Sequence, residues 1–520
     1  MLNKILLSIS LIWGVAFAGD PQLIDLPTTH CREAWKSIIN KGQHNFKVAG
    51  SHTTDTNGVN LEYQKYLDNL KRYDCHKDWT ILVYMQADND LRPYAFWDLA
   101  EMESAFSGRR ANGSTLKLDV LVHLDTDQDR KLRRFHMFQS PNKMANQGGE
   151  YYKSWTEQNI YSPITHEFDE DIESQKPQAQ VFQEFIEWGM ANYPSKHYMV
   201  VVWGHGQGWS NTPAVHFGGI ATDDSDHQRI SVTEIRNSLQ SIRNLSLTGE
   251  KVDVLAADAC LMQTIEVASE LGNEARYVIG STQIQNFMGL PYRRLLYEIN
   301  TGDWQGLGRD PNYFDEPHRM AAMIPKLVES AFKPRNGGRG FHQGDFDPDG
   351  WTHFTMSAVN AEELNRQSFG VFQKLAEGIL ESLDQDFFLS SELSLLIERV
   401  DYFLGGSRDI TYLMAKLEEF YGQRANNFEP KTVQKIFDAI AGIRRLINET
   451  VIAYYYGEEY WAKNNNYYLG QFKAFGTWLP TDQDNLNFAA PQLKQSYFVQ
   501  QFSNSSWLAW MERLYSGGML

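Results

Sequence analysis

Residues 252–262 read VDVLAADACLM, an almost unbroken apolar run that ends at Asp258 and presents a cysteine, Cys260, two residues later. A short run with so few polar residues reads as a strand buried on both faces, the kind found in a mostly parallel sheet covered by helices. A second run of the same design lies upstream at 199–209, MVVVWGHGQGW, where apolar residues give way at once to Gly204, His205, Gly206 and Gly208. In an open α/β sheet, sites form outside the carboxyl ends of the strands. The two runs therefore deliver His205 and Cys260 to one edge.

Around them, short apolar runs alternate with stretches of helical period. Strands are expected at Trp79–Gln86, Leu118–Leu124, His197–Trp203, Val252–Ala257 and Tyr277–Ser281, with an added hairpin strand around Leu132–Gln139. Helices are expected at Leu91–Phe106, Ala179–Tyr193, Ser231–Ile242 and Gln263–Leu271; Ser231 and Glu234 form the capping box that starts the third. Past about Arg335 the sequence turns Gly- and Asp-rich (NGGRGFHQGDFDPDGW), as in a loop or linker. A mixed region follows, with helices expected at Ala361–Leu383, Ile410–Tyr421 and Thr432–Asn448, a strand in FKAFGTWLP and a last helix near Trp507–Leu514. The expected division is a signal segment at 1–18, an N-terminal extension or pro-segment at 19–77, an α/β core at 78–335 and an α+β C-terminal region at 336–520 packed on the core.

The 520 residues exceed what one hydrophobic core normally carries. With 42% hydrophobic and 13% aromatic residues, the composition excludes a disordered chain. A net charge of −17 argues against a nucleic-acid partner, which needs a basic face, and suits a basic peptide or a divalent cation. At the start, Lys4 precedes an apolar run from Ile5 to Phe17, and Ala16-Phe17-Ala18 supplies a signal-peptidase pattern. The expectation is export, to a periplasm or the medium, with no membrane anchor left after signal removal, because the run is too short to span a bilayer. Cys31, Cys75 and Cys260 are the three cysteines. In an oxidising compartment an odd count leaves one thiol unpaired or bridging two chains. Cys31 and Cys75 could bridge, which leaves Cys260 free.

A nucleophilic cysteine needs thiolate character, from a nearby histidine, a helix N-terminus or both. Cys260 follows a strand and precedes an expected helix by two or three residues, and His205 could serve it as general base and general acid. The glycines beside His205 leave room for backbone, so the Gly206 and Cys260 N–H groups are candidates for an oxyanion hole. Each feature alone has a plainer explanation: a cysteine after a buried strand is usually a small packed hydrophobe, and His-Gly is usually a turn.

Taken together, WTILVYMQADNDL at 79–91, the His-Gly of VVVWGHGQGW and the Asp-Ala-Cys of VLAADACLMQTIEVASEL resemble the clostripain family of cysteine peptidases, relatives of caspases, legumains and gingipains. DYFL at Asp401–Leu404 and GTWLP before a tryptophan-bearing helix extend the likeness from about residue 79 to the end. The resemblance implies a caspase-like α/β/α sandwich, a His205–Cys260 dyad, cleavage of peptide or protein substrates after Arg or Lys, and possible self-processing, for which Arg229 is a candidate. It requires no cofactor. Asp258 would carry the basic preference by lining the substrate pocket with Ser281, and the other reading of Asp258 is a helix cap. The family's acidic residues after this strand are missing from GSTQIQNFMGLPY, although Pro291-Tyr292 is kept.

Asp223, Asp224 and Asp226 are candidates for calcium, which takes clustered carboxylate oxygens, although their spacing is not that of an EF-hand loop. His136, His197, His216 and His227 show no zinc spacing. The aromatic stretch Tyr454–Tyr468 reads first as core or interface. Two other classes stay open: a non-catalytic protein of this fold that binds peptide or glycan, and a carboxylate glycosidase.

Overall fold

The computed structural model of the chain describes residues 30–35, 60–61, 63–64, 67–68, 75–104, 113–140, 149–169, 176–209, 219–246, 249–302, 310, 313–332, 355–367, 370–386, 388–400, 407–456, 472–480, 482–502 and 506–515. The expected signal segment, the Gly/Asp-rich linker, the DYFL segment and most of the tyrosine-rich stretch lie outside them.

Apolar runs as long as these satisfy their backbone only by pairing side by side. The strands are β1 (Lys77–Ala87), β2 (Leu118–Thr126), β3 (Lys131–His136), β4 (Ile164–Asp169), β5 (Ser195–Trp203), β6 (Val252–Asp258), β7 (Ala275–Gly280), β8 (Thr355–Asn360), β9 (Ser407–Asp409), β10 (Val451–Tyr456) and β11 (Gly476–Trp478). Among the described residues nine of them make one sheet in the order β10-β8-β7-β6-β5-β1-β2-β3-β4, while β9 and β11 form a separate antiparallel ribbon. The central strands β2, β1, β5, β6 and β7 run parallel; β3 and β4 at one edge, and β8 and β10 at the other, are antiparallel. The chain steps from β1 outward to β2 and returns to place β5 on the other side of β1. This switch point opens a crevice at the strands' carboxyl ends.

Side chains alternate across the sheet and feed two apolar layers. Leu82, Tyr84, Val200, Val202, Leu255 and Ala257 join one layer; Ile81, Val83, Met199, Val201, Val254 and Ala256 join the other. Helices α2 (Gln178–Asn192), α3 (Val232–Ile242) and α4 (Ile265–Leu271) cover the first, and α1 (Arg92–Glu103), α5 (Tyr292–Thr301) and α6 (Pro317–Phe332) the second. The expected capping box is present at α3: Ser231 Oγ accepts from the Glu234 N–H at 3.2 Å, and the Glu234 carboxylate accepts from the Ser231 N–H at 2.8 Å.

Three expectations change. The C-terminal region does not merely pack on the core, because β8 and β10 extend the core's own sheet. Its helices thicken the first layer, with Phe372, Ile379, Ile436, Ile443, Trp507 and Trp510 in the same apolar cluster as Leu82 and Val200. The helix expected at Ala361–Leu383 is two helices, Ala361–Gln367 and Val371–Gln385, and the second starts after Gly370, whose φ of +86° is left-handed and outside regular helix. The described residues of the N-terminal extension are also built in. Cys31 and Cys75 form a disulfide, and Trp35, Tyr63 and Leu67 are buried in the first layer.

Candidate active site

His205 and Cys260 each stand two residues beyond the end of a parallel strand, and β5 and β6 are neighbours in a register that sets Trp203 opposite Asp258. The two loops lie against each other. A Cβ on Gly206 would collide with the Cys260 carbonyl oxygen and the Ala259 side chain and would sit 3.0 Å from Cys260 N. Only glycine admits this approach, which lays the histidine-bearing backbone across that of the cysteine. Leu261 follows with φ +62°, a left-handed conformation in a non-glycine residue that bends the chain sharply after the thiol.

The His205 ring is tied by a residue the sequence reading did not single out. Its Nε2 lies 2.7 Å from Asp90 Oδ1. Asp90 was legible in retrospect: WTILVYMQADNDL is a third apolar strand that turns polar at the same sheet edge.

Cys260 is a half-buried free thiol, and its Sγ accepts the Gln285 N–H at 3.2 Å. Burial pushes the thiol above its ordinary range, nearby Asp258 adds to the rise, and the Gln285 N–H opposes it. The expected help from a helix dipole is absent, since α4 starts at Ile265, five residues on, behind a Thr264 cap.

Asp258 lies beneath the cysteine but is 4% exposed. Its Oδ1 accepts from the Gln285 carboxamide, and its Oδ2 from the Leu290 N–H at 3.1 Å and the Tyr292 hydroxyl at 2.8 Å. It caps no helix. Burial raises its carboxyl to about 6, against those hydrogen bonds. Two more acids share the buried space: Asp98, bonded by Trp203 Nε1 at 2.7 Å, and Glu101, whose carboxyl burial lifts to about 7. Ser281 is misplaced by the sequence reading. It is fully buried, and its hydroxyl bonds Gln283 O at 2.9 Å and Thr355 Oγ1 at 3.0 Å, so it fastens the end of β7 to β8 and lines no pocket.

Of the three aspartates offered for calcium, Asp223 alone is buried; Asp224 is exposed and Asp226 half-buried. Asp223 gathers instead with Asp88 and Asp125, from the ends of β1 and β2, with one carboxylate oxygen from each within 4.8 Å of the others. Gln86 Nε2 bonds both Asp125 at 2.6 Å and Asp223 at 3.0 Å, while its Oε1 is buried without a hydrogen-bond partner. Arg229, offered for self-cleavage, is half-buried and precedes Ile230, which exchanges backbone hydrogen bonds of 2.9 and 3.0 Å with Ile220.

The C-terminal region holds both loops. Gly476 N–H bonds Gln263 O at 3.0 Å beside the cysteine loop, and Gln492 Nε2 bonds Trp209 O at 2.7 Å at the end of the histidine loop. Trp478 packs edge-on against Trp209 at 5.5 Å.

The layered, mostly parallel sheet defines the class: a caspase-like α/β sandwich with a helical C-terminal region. Residues 83–316 match the sequence model of the clostripain family of cysteine peptidases. It is similar to clostripain of Hathewaya histolytica, 24% identical over 270 residues that cover 49% of this chain and 48% of that protein. The chain thus spans about half the length of the curated relative it matches. In fold it is similar to a secreted C11 cysteine protease from Bacteroides thetaiotaomicron solved with an irreversible peptide inhibitor (TM-score 0.51, 16% identity, 84% of this chain and 100% of that one). It is similar also to an inactive zymogen C11 protease from Parabacteroides distasonis (TM-score 0.51, 14% identity, 82% and 98%). No helix among the described residues is long and apolar enough to cross a membrane.

Proposed function

We propose that the chain is an exported cysteine endopeptidase that hydrolyses peptides and proteins through His205 and Cys260, with basic residues favoured at the cleaved bond. The observation that carries this reading is the seating of Gly206 on the Cys260 backbone, which brings the two loops together at the switch point of the sheet. His205 takes the thiol proton, and Cys260 Sγ attacks the carbonyl carbon. The Cys260 and Gly206 N–H groups hold the oxyanion; His205 returns the proton to the leaving amine, and water cleaves the thioester to free the acid and restore the thiol. Asp90 at Nε2 fixes the tautomer and leaves Nδ1 for the proton. Asp258 supplies negative charge beneath the thiol. Asp223, with Asp88 and Asp125, is proposed to hold calcium, an ion that takes oxygen ligands.

Peptides with Arg or Lys at the cleaved position test the dyad. Cys260→Ala and His205→Ala are each expected to lower kcat by at least about a thousandfold. Asp90→Asn should cost about 10- to 100-fold in kcat with KM and melting temperature unchanged. Wild-type turnover in either dyad variant would remove the reading.

A further inference from the structure

Asp258 is the acid nearest Cys260 along the chain, and its Oδ1 is already taken by Gln285. The Gln285 carboxamide donates to Asp258 Oδ1, and its backbone N–H donates to Cys260 Sγ at 3.2 Å. One residue thus touches both the nucleophile and the acid. Gln285 is 5% exposed, and its Oε1 is buried with no hydrogen-bond partner. The amide cannot simply turn over, because that would set Oε1 against Oδ1, two acceptors face to face. A buried acceptor with no donor is costly, and beside a nucleophile it marks a place for a ligand's N–H.

Oδ2 offers no second route. The Leu290 N–H and the Tyr292 hydroxyl occupy it, and Gly289, with φ +59°, passes so close that a Cβ there would lie 2.8 Å from it. A guanidinium gains most from a carboxylate that it can grip with two parallel hydrogen bonds. Here that grip is taken by protein donors, and the first acceptor beside the carboxylate is a neutral amide oxygen.

We propose that Gln285 determines the side chain accepted at the cleaved bond: it caps Asp258 and offers a carboxamide acceptor in its place. The site then takes long side chains ending in N–H donors, Gln as well as Arg and Lys, with a shallow preference for charge. This rests on the peptidase reading of Cys260 and narrows its substrate class.

The test compares peptides differing only in Arg, Lys, Gln or Met at the cleaved residue, cut by wild type, Gln285→Ala and Gln285→Asn. Labelling of Cys260 by chloromethyl ketones of the Arg and Gln peptides is followed by mass in parallel. In wild type the Arg, Lys and Gln peptides should fall within about tenfold of one another in kcat/KM, with Met lower. Shortening Gln285 should uncap Asp258 and raise the Arg-to-Gln ratio by about tenfold or more. A ratio between two substrates on one sample is insensitive to the fraction folded, so a weakened variant still reports. Cys260 labelling with a ratio unmoved in both variants overturns the proposal alone. Absence of cleavage and of labelling in wild type overturns the peptidase reading and this proposal with it.

Discussion

In the proposed reaction Cys260 has to lose its proton before it can attack, and its surroundings oppose that loss. Burial and the Asp258 charge push the thiol up, and α4 begins too far away for its dipole to help. The proposed reaction therefore calls for a base, and His205, bonded to Asp90 at one nitrogen, is oriented to act through the other. The same loop after β1 supplies Asp88 to the carboxylate trio. If that trio holds calcium, calorimetric titration of Ca²⁺ should show binding to wild type and none to Asp125→Asn, with a calcium-dependent rise in melting temperature only in wild type. A silent wild-type titration would end the calcium proposal.

Between elements, the main joint is Glu266 on α4. Its Oε1 accepts from Thr477 Oγ1 at 2.9 Å and from the Trp478 N–H at 3.1 Å, which ties the helix after Cys260 to β11. Burial raises this carboxyl from near 4.5 to about 7. An acid with a raised folded pKa binds its proton more tightly when folded, so its contribution is greatest below about 4.5 and is lost as pH rises through about 7. Urea midpoints of wild type should therefore fall over that window. Glu266→Gln keeps an acceptor for both donors but cannot ionise, and should flatten the fall by up to about 3 kcal/mol. Parallel curves for the two proteins would contradict this.

On the scale of the whole molecule, described residues of the C-terminal region bond both loops of the candidate site, and those of the N-terminal extension join the core. The C-terminal ribbon and helices grip both loops, and the N-terminal extension is sewn in by the disulfide across a sequence separation of 44, with Tyr63 OH bonded to Tyr193 OH at 2.8 Å. A cross-link that closes such a loop restricts the unfolded chain. Cys31→Ser with Cys75→Ser should lower the unfolding free energy by about 2–4 kcal/mol under oxidising conditions. Identical urea curves would show that packing of Trp35 and Tyr63 alone holds the segment.

The sequence alone determined the sheet strands that carry the site, because a strand buried on both faces must be apolar along its whole length and its polar end residues then stand out. That rule placed His205 and Cys260, and it applied equally to Asp90 at the end of β1. The capping box of α3 was legible for an equally local reason, while the sequence offered Cys31–Cys75 only as a bridge that could form. Tertiary structure decided what each polar group does there. Whether Asp258 faces a substrate or Gln285, whether Ser281 lines a pocket or fastens β7 to β8, and which aspartates gather with Asp223 all depend on contacts between segments distant in sequence. Local pattern records burial and chain direction, but a hydrogen-bond partner is chosen only when the loops of several strands meet at one edge.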